Sequence, residues 1–186
     1  MSTYLVAGVK EAFLKLNLPD THYVLCVRYA QNEKGTGGDT QLFVTGGVEA
    51  YEFSDPSATA LAELAEEAHF RASSVSHTGK FENNHLVSDT YAANMTDLDA
   101  IPMPAIRKEE KIVDEKKHKI TCIVSGTKAE MKHIVKRIKR VGCEKTNDDI
   151  DALVFISVAD VKRMIGMIEE NKKAKKYDPF WFQLTQ

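Results

Sequence analysis

Apolar positions along the chain follow two periods. Tyr23 to Tyr29 (YVLCVRY) and Ala152 to Val158 (ALVFISV) are nearly continuous apolar runs, the pattern of strands buried on both faces. Leu42-Phe43-Val44 is a shorter run of the same kind, followed by a glycine pair, Gly46-Gly47, that predicts a turn. Elsewhere the period is helical. Met131, Ile134, Val135 and Ile138 make one stripe over Lys128 to Val141, with Gly126-Thr127 at its start and Gly142 at its stop. Val161, Met164, Ile165 and Ile168 make another from Asp160 to about Lys172. Asp55-Pro56 marks a third helix, with Asp as cap and Pro at the first helical position.

The other segments are less sharply patterned. Val6, Val9, Phe13 and Leu16 have helical spacing within Tyr4 to Leu16, although a strand is the competing reading there. Asn32 to Asp39 (NEKGTGGD) predicts a turn-rich hairpin loop. Ala72 to Phe81 and His85 to Ala92 read as two strands around a Glu82-Asn83-Asn84 turn. Met95 to Ile106 reads as an extended connection. Arg107 to Lys119 is a mixed charge run, either a hairpin arm or a solvated loop, and Lys119 to Val124 is a strand. The aromatic cluster Pro179-Phe180-Trp181-Phe182 is expected to dock on the core.

Length and composition fit one soluble domain. At 186 residues the chain can bury a substantial core, and 43% apolar with 28% charged residues is the usual globular balance. The net charge of -2 exerts no global pull toward nucleic acid or membrane. Apolar runs fall well short of the ~18 residues of a membrane helix, and the start, MSTYLVAGVKEAF, lacks a signal-peptide pattern. Cys26, Cys122 and Cys143 are widely spaced with no CxxC pair, which predicts a reducing cytoplasmic compartment and no zinc site, and Cys26 and Cys122 lie in apolar strand-like runs that predict buried thiols.

The third helix carries the chemistry. Glu63, Glu66 and Glu67 share one helical face through their spacings of three and four residues. Like charges so placed repel by roughly a few tenths of a kcal/mol per pair. A hard divalent cation takes oxygen ligands and turns that repulsion into binding, and a phosphate or pyrophosphate on the metal is a natural substrate.

The stretch from Gly46 to Phe70 (GGVEAYEFSDPSATALAELAEEAHF) resembles the signature of the Nudix hydrolases. That signature is a glycine, five residues, a glutamate, seven residues, then Arg-Glu-apolar-x-Glu-Glu-x-Gly-apolar. Gly46 starts it and Glu52 falls six positions later. Ala62 to Phe70 supplies the glutamates and both apolar positions. Three features depart from it: nine residues separate Glu52 from Ala62, Ala62 stands for the arginine, and His69 stands for the second glycine. Since the family's arginine helps hold the glutamates, its loss bears on catalysis more than on fold.

The resemblance implies an α/β fold, a Nudix-like mixed sheet sandwiched between helices, with the helix near residues 128–141 as an addition. It implies cleavage of a pyrophosphate bond in a nucleoside diphosphate-linked substrate: a nucleotide, a dinucleoside polyphosphate or capped RNA. Mg²⁺ or Mn²⁺ would sit on Glu63, Glu66, Glu67 and the carbonyl of Gly46, with Glu67 the principal ligand. Glu63 and Glu66 are the catalytic acids, with Glu52 or Glu49 in support. A further carboxylate from the loop holding Glu144, Asp148, Asp149 and Asp151 acts as base, Asp149 being the choice. Arg28 is the candidate for the substrate phosphate, and His69 reads as a helix-terminal surface residue. The alternative is a Nudix-like chain without catalysis that binds nucleotide or RNA or serves as a scaffold.

A separate signal is the basic helix. Lys128, Lys132, Lys136, Lys139 and Arg140, with His133 and Arg137, give a positive face that could hold RNA, and Lys172-Lys173-Ala174-Lys175-Lys176 adds charge beyond the next helix. The simpler reading is a solubilising face.

Overall fold

The fold, seen in a computed structural model that describes residues 5–29, 40–50, 56–100, 113–141, 150–169 and 180–183, is a mixed sheet with helices against both faces. Its first half runs α1 (Val9–Lys15), β1 (Tyr23–Tyr29), β2 (Thr40–Gln41), β3 (Val44–Ala50), α2 (Pro56–Ala68), β4 (Phe70–Ala72), β5 (Ser76–Glu82) and β6 (Leu86–Asn94). A 3-10 turn (Met95–Asp97) leads to β7 (Leu98–Ala100), β8 (Val113–Gly126), α3 (Lys128–Val141), β9 (Ile150–Ser157), α4 (Val158–Glu169) and β10 (Phe180–Gln183).

The strand order is β10-β9-β1-β8-β6-β5, with β2 on β1 and β3 on β8. All pairings are antiparallel except β6 with β8. Strands β4 and β7 form a small second sheet. The 14-residue β8 is the spine: β6 lies along one edge, while β3 and the start of β1 share the other.

Side-chain alternation splits the core in two. Val24 and Cys26 of β1, with Val154 and Ile156 of β9, meet Val9 and Phe13 of α1 and Val161, Met164 and Ile165 of α4. Leu25 and Val27, with Leu153 and Phe155, meet Leu64 and Ala68 of α2 and Met131, Ile134, Val135 and Ile138 of α3. That double burial explains why β1 and β9 read as unbroken apolar runs. Each fully buried side chain of this size contributes about 2 kcal/mol. Phe43 has φ 66, a left-handed backbone that costs a bulky residue about 1–2 kcal/mol. Its ring offsets this by full burial beside Phe13, centroids 5.4 Å apart.

Local chemistry sets the helix ends. Thr127 Oγ1 accepts from the Glu130 N–H at 3.2 Å and Glu130 Oε1 accepts from the Thr127 N–H at 3.4 Å, a reciprocal cap that starts α3. Thr127→Ala is expected to lower stability by about 1 kcal/mol, read from the shift in urea midpoint. Ser157 Oγ accepts from the Asp160 N–H at the start of α4. Asn83 Oδ1 accepts from the N–H groups of His85 and Leu86, both at 2.8 Å, closing the β5–β6 turn.

The ambiguous N-terminal segment is helical from Val9, and the mixed charge run becomes strand from Val113, so β8 starts six residues before the expected Lys119. The expected extended connection is a 3-10 turn and β7 up to Ala100. Gly46 and Gly47 are not a turn: both lie inside β3, paired with Ile120 and Lys119. The aromatic cluster joins the sheet as edge strand β10 on β9. The expected loop Asn32 to Asp39, the cap Asp55, the stop Gly142, Cys143 and the basic run 172–176 lie outside the described residues. Among the described residues no helix is long and apolar enough to cross a membrane.

Candidate functional site

Helix α2 lies over β3, β8 and β6, turning Ala60, Leu64 and Ala68 into the core, each fully buried. Glu63 and Glu67 flank that apolar line one turn apart, at 8% and 9% exposure. They are therefore on the sheet side of the helix rather than on a solvated face. Carboxylates are seldom buried unless paired or hydrogen-bonded, so this placement sets them apart from an ordinary solvated acidic face.

The position of Glu63 explains Gly46. A Cβ built on Gly46 would overlap the Glu63 carboxyl group, Cδ and Oε2 included. Gly46 is extended and has no positive φ, so glycine is present to let the carboxylate approach the β3 backbone. The two ends of the signature-like stretch thus meet in space.

His69 occupies the signature's second glycine position and has φ 60, the left-handed backbone that glycine adopts freely. Its N–H donates to the Ala65 carbonyl at 3.1 Å, closing the C-terminus of α2. The expectation of a surface residue is corrected: the side chain is 1% exposed, because the left-handed turn directs the chain inward to β4. The backbone role assigned to glycine is kept, with an imidazole added.

Sequence reasoning missed Asp89. Gly46, Ile120 and Asp89 form one rung across β3, β8 and β6, on the face covered by α2. Asp89 is 6% exposed, and its Oδ1 lies 2.9 Å from Nε2 of the half-exposed His77, whose ring meets Tyr91 edge-on. The available signal was an acid inside an apolar strand, LVSDTYAAN, where Asp is normally depleted. Two strand spacings put Asp89 roughly 10 Å from Gly46, too far to share an ion bound there.

Other expected residues do not join this site. Arg28 is half-buried on β1, and alternation places it with Val24 and Cys26 on the opposite, α1–α4 face of the sheet. Glu52, Glu144, Asp148 and Asp149 lie outside the described residues, as do the side chains of Glu49, Glu66 and Asp151. Among the described residues no group of three or more His, Cys, Asp or Glu side chains is placed to hold a metal ion.

The two thiols among the described residues are inert. Cys26 and Cys122 are buried on opposite faces of the sheet, and burial pushes both up to about 12. Neither is a nucleophile at neutral pH.

No protein-family model, no curated protein and no solved structure matches the chain.

Proposed function

We propose that the chain is a Nudix-type hydrolase that cleaves a pyrophosphate bond in a nucleoside diphosphate-linked substrate, with Mg²⁺ or Mn²⁺ as cofactor. The observation that carries this reading is the packing of Glu63 on Gly46. It joins the glycine and the acidic helix of the signature-like stretch, and the left-handed backbone at His69 supports the same alignment.

The donor types fit the cation. Carboxylates and a backbone carbonyl are the hard oxygen ligands that Mg²⁺ and Mn²⁺ prefer, and the bare backbone at Gly46 gives Glu63 room to reach it. Glu63, Glu67 and the Gly46 carbonyl would hold the metal, with Glu66 as the further ligand from the same helix. The bound cation would neutralise pyrophosphate oxygens and favour ionisation of a water. Burial of Glu63 and Glu67 keeps both carboxylates in fixed rotamers, so little ordering is left for the moment of binding. Glu66 or Asp149 would accept the proton from the attacking water. His77, oriented by Asp89, stands at the rim on the same side of the sheet.

The test is turnover with Mn²⁺ or Mg²⁺ on nucleoside triphosphates, ADP-ribose, dinucleoside polyphosphates and capped RNA. Activity is expected to require metal and to fall about 10²–10⁴-fold in Glu67→Gln. Absence of turnover on every substrate, with no metal uptake in calorimetry, would replace this reading with a non-catalytic binder or scaffold.

A further inference from the structure

We infer that α3 is a docking track for a single-stranded polynucleotide, with a groove beside it that receives one base bearing an exocyclic amine. This inference is independent of the acidic site under α2. Lys128, Lys132, Lys136 and Arg140 recur at every fourth position of α3, with Lys139 beside them. All five are exposed, and none forms an ion pair with an acidic side chain among the described residues. Each step of the row advances about 6 Å along the helix. On a chain of net charge -2, this regular row is a local feature. Lysine is a compact, hydrated point charge, and a regular row of such charges matches a repeating phosphate.

The same geometry disfavours an acidic lipid surface. The apolar side chains of α3, Met131, Ile134, Val135 and Ile138, are all spent on the core, at 0–3% exposure. Among the described residues, the solvent side of the helix therefore has no large apolar group to insert among lipids, as interfacial helices do. Arg137 binds Asp99 and the Leu98 carbonyl, fastening the helix to β7 so that the row is held rigidly.

The groove lies on the flank of this row. It opens between α3 and the 3-10 turn, has a volume of about 380 Å³, and is lined by Met95, Thr96, Ala129, His133, Ile134 and Arg137 around Glu130, the Arg137 guanidinium being held by Asp99 and the Leu98 carbonyl. Met95 and Ile134 supply an apolar floor. Glu130 Oε1 serves the helix cap, whereas Oε2 is buried without a hydrogen-bond partner. A turn of the Glu130 carboxylate toward the groove it lines would give that oxygen a donor from a bound base. Adenine, cytosine and guanine each carry an amino group that can donate to it, and uracil does not. The volume is at the small end of ligand sites, suited to one base rather than to a large ligand. His133, exposed at the junction of row and groove, can stack on that base.

The experiment is fluorescence anisotropy with 12-nucleotide strands of A, C or U, run in EDTA so that no metal-dependent hydrolysis contributes. A and C strands are expected to bind at least 10-fold more tightly than U. The salt slope of log K is expected near about -2.8 for four phosphate contacts, and near about -1.4 in the Lys132→Ala/Lys136→Ala variant. Glu130→Gln keeps an oxygen for the cap but presents an NH₂ to the groove, and should erase or invert the preference over U. Its thermal transition, expected unchanged, checks that the helix is intact. Equal affinity for all three strands would overturn the base site. Binding to phosphatidylserine vesicles without strand binding, or a salt slope unmoved in the lysine variant, would overturn the track.

Discussion

Replacing Gly46 by alanine is expected to destabilise the protein by about 1 kcal/mol, the lower part of the usual cost of overpacking, because the atoms displaced are the far end of one side chain. The backbone itself would accept alanine, because Gly46 is extended within β3. The cost arises from the added methyl, which would occupy the space of the Glu63 carboxyl group and force that flexible side chain into another rotamer. The diagnostic is a double-mutant cycle in urea. Glu63→Ala should recover most of the loss in the Gly46→Ala background, with a coupling energy of about 1 kcal/mol between the two positions. Gly166→Ala is the control: a Cβ there meets nothing within 4 Å, and its helical position predicts a gain of about 0.8 kcal/mol. A neutral Gly46→Ala would refute the close approach and remove the main support for the proposed metal site.

Stability is expected to fall steeply as pH rises from about 9 toward 12. Burial raises the thiols of Cys26 and Cys122 from 9.0 to about 12, a hydrogen bond involving the Phe43 backbone partly opposing this at Cys26. In the folded state both therefore stay protonated through this window, while the unfolded chain releases these protons near pH 9. The unfolded state then binds fewer protons, so the stability conferred by the buried neutral thiols is complete below pH 9 and declines above it. The slope is about 1.4 kcal/mol per pH unit for each thiol. Urea midpoints at pH 8.0, 9.5 and 10.5 measure it. Cys26→Ala/Cys122→Ala should show a clearly shallower decline, and equal slopes in the two proteins would place the alkaline sensitivity elsewhere.

The strongly periodic elements were legible because their burial is one-sided or complete. The Met131–Ile138 stripe with Thr127 ahead of it predicts Lys128–Val141, the observed span of α3, and YVLCVRY is β1 from end to end. The features that escaped depend on tertiary partners. VDEKKHKITCIVSG reads as charge at its start because β8 begins beyond the apolar core, yet hydrogen bonds to β3 and β6 hold it extended. A glycine pair usually signals a turn, and only the carboxylate on the facing helix reveals why Gly46 is in a strand. For His69, the sequence shows a polar residue at a helix end and cannot show that the next strand carries it inside. Glu63 and Glu67 were singled out by their spacing and by the signature they resemble, whereas Asp89 and His77 are twelve residues apart and meet only through the β5–β6 pairing.

Strand order also governs when the protein can form. β1 sits in the middle of the sheet, but most of its ladder is with β9, where Tyr23 pairs with Ser157 and Val27 with Leu153. A ribosome exposes β1 long before β9 exists, so YVLCVRY emerges as an apolar segment with no strand beside it on that edge. β8 can meet β3 and β6 earlier, and it offers β1 only the short contact at Tyr23 and Val24. Closure over so long a loop is slow, and such an unpaired segment is prone to aggregate while it waits. Emergence of β9, rather than the appearance of any single helix, is therefore the step at which β1 gains its main partner.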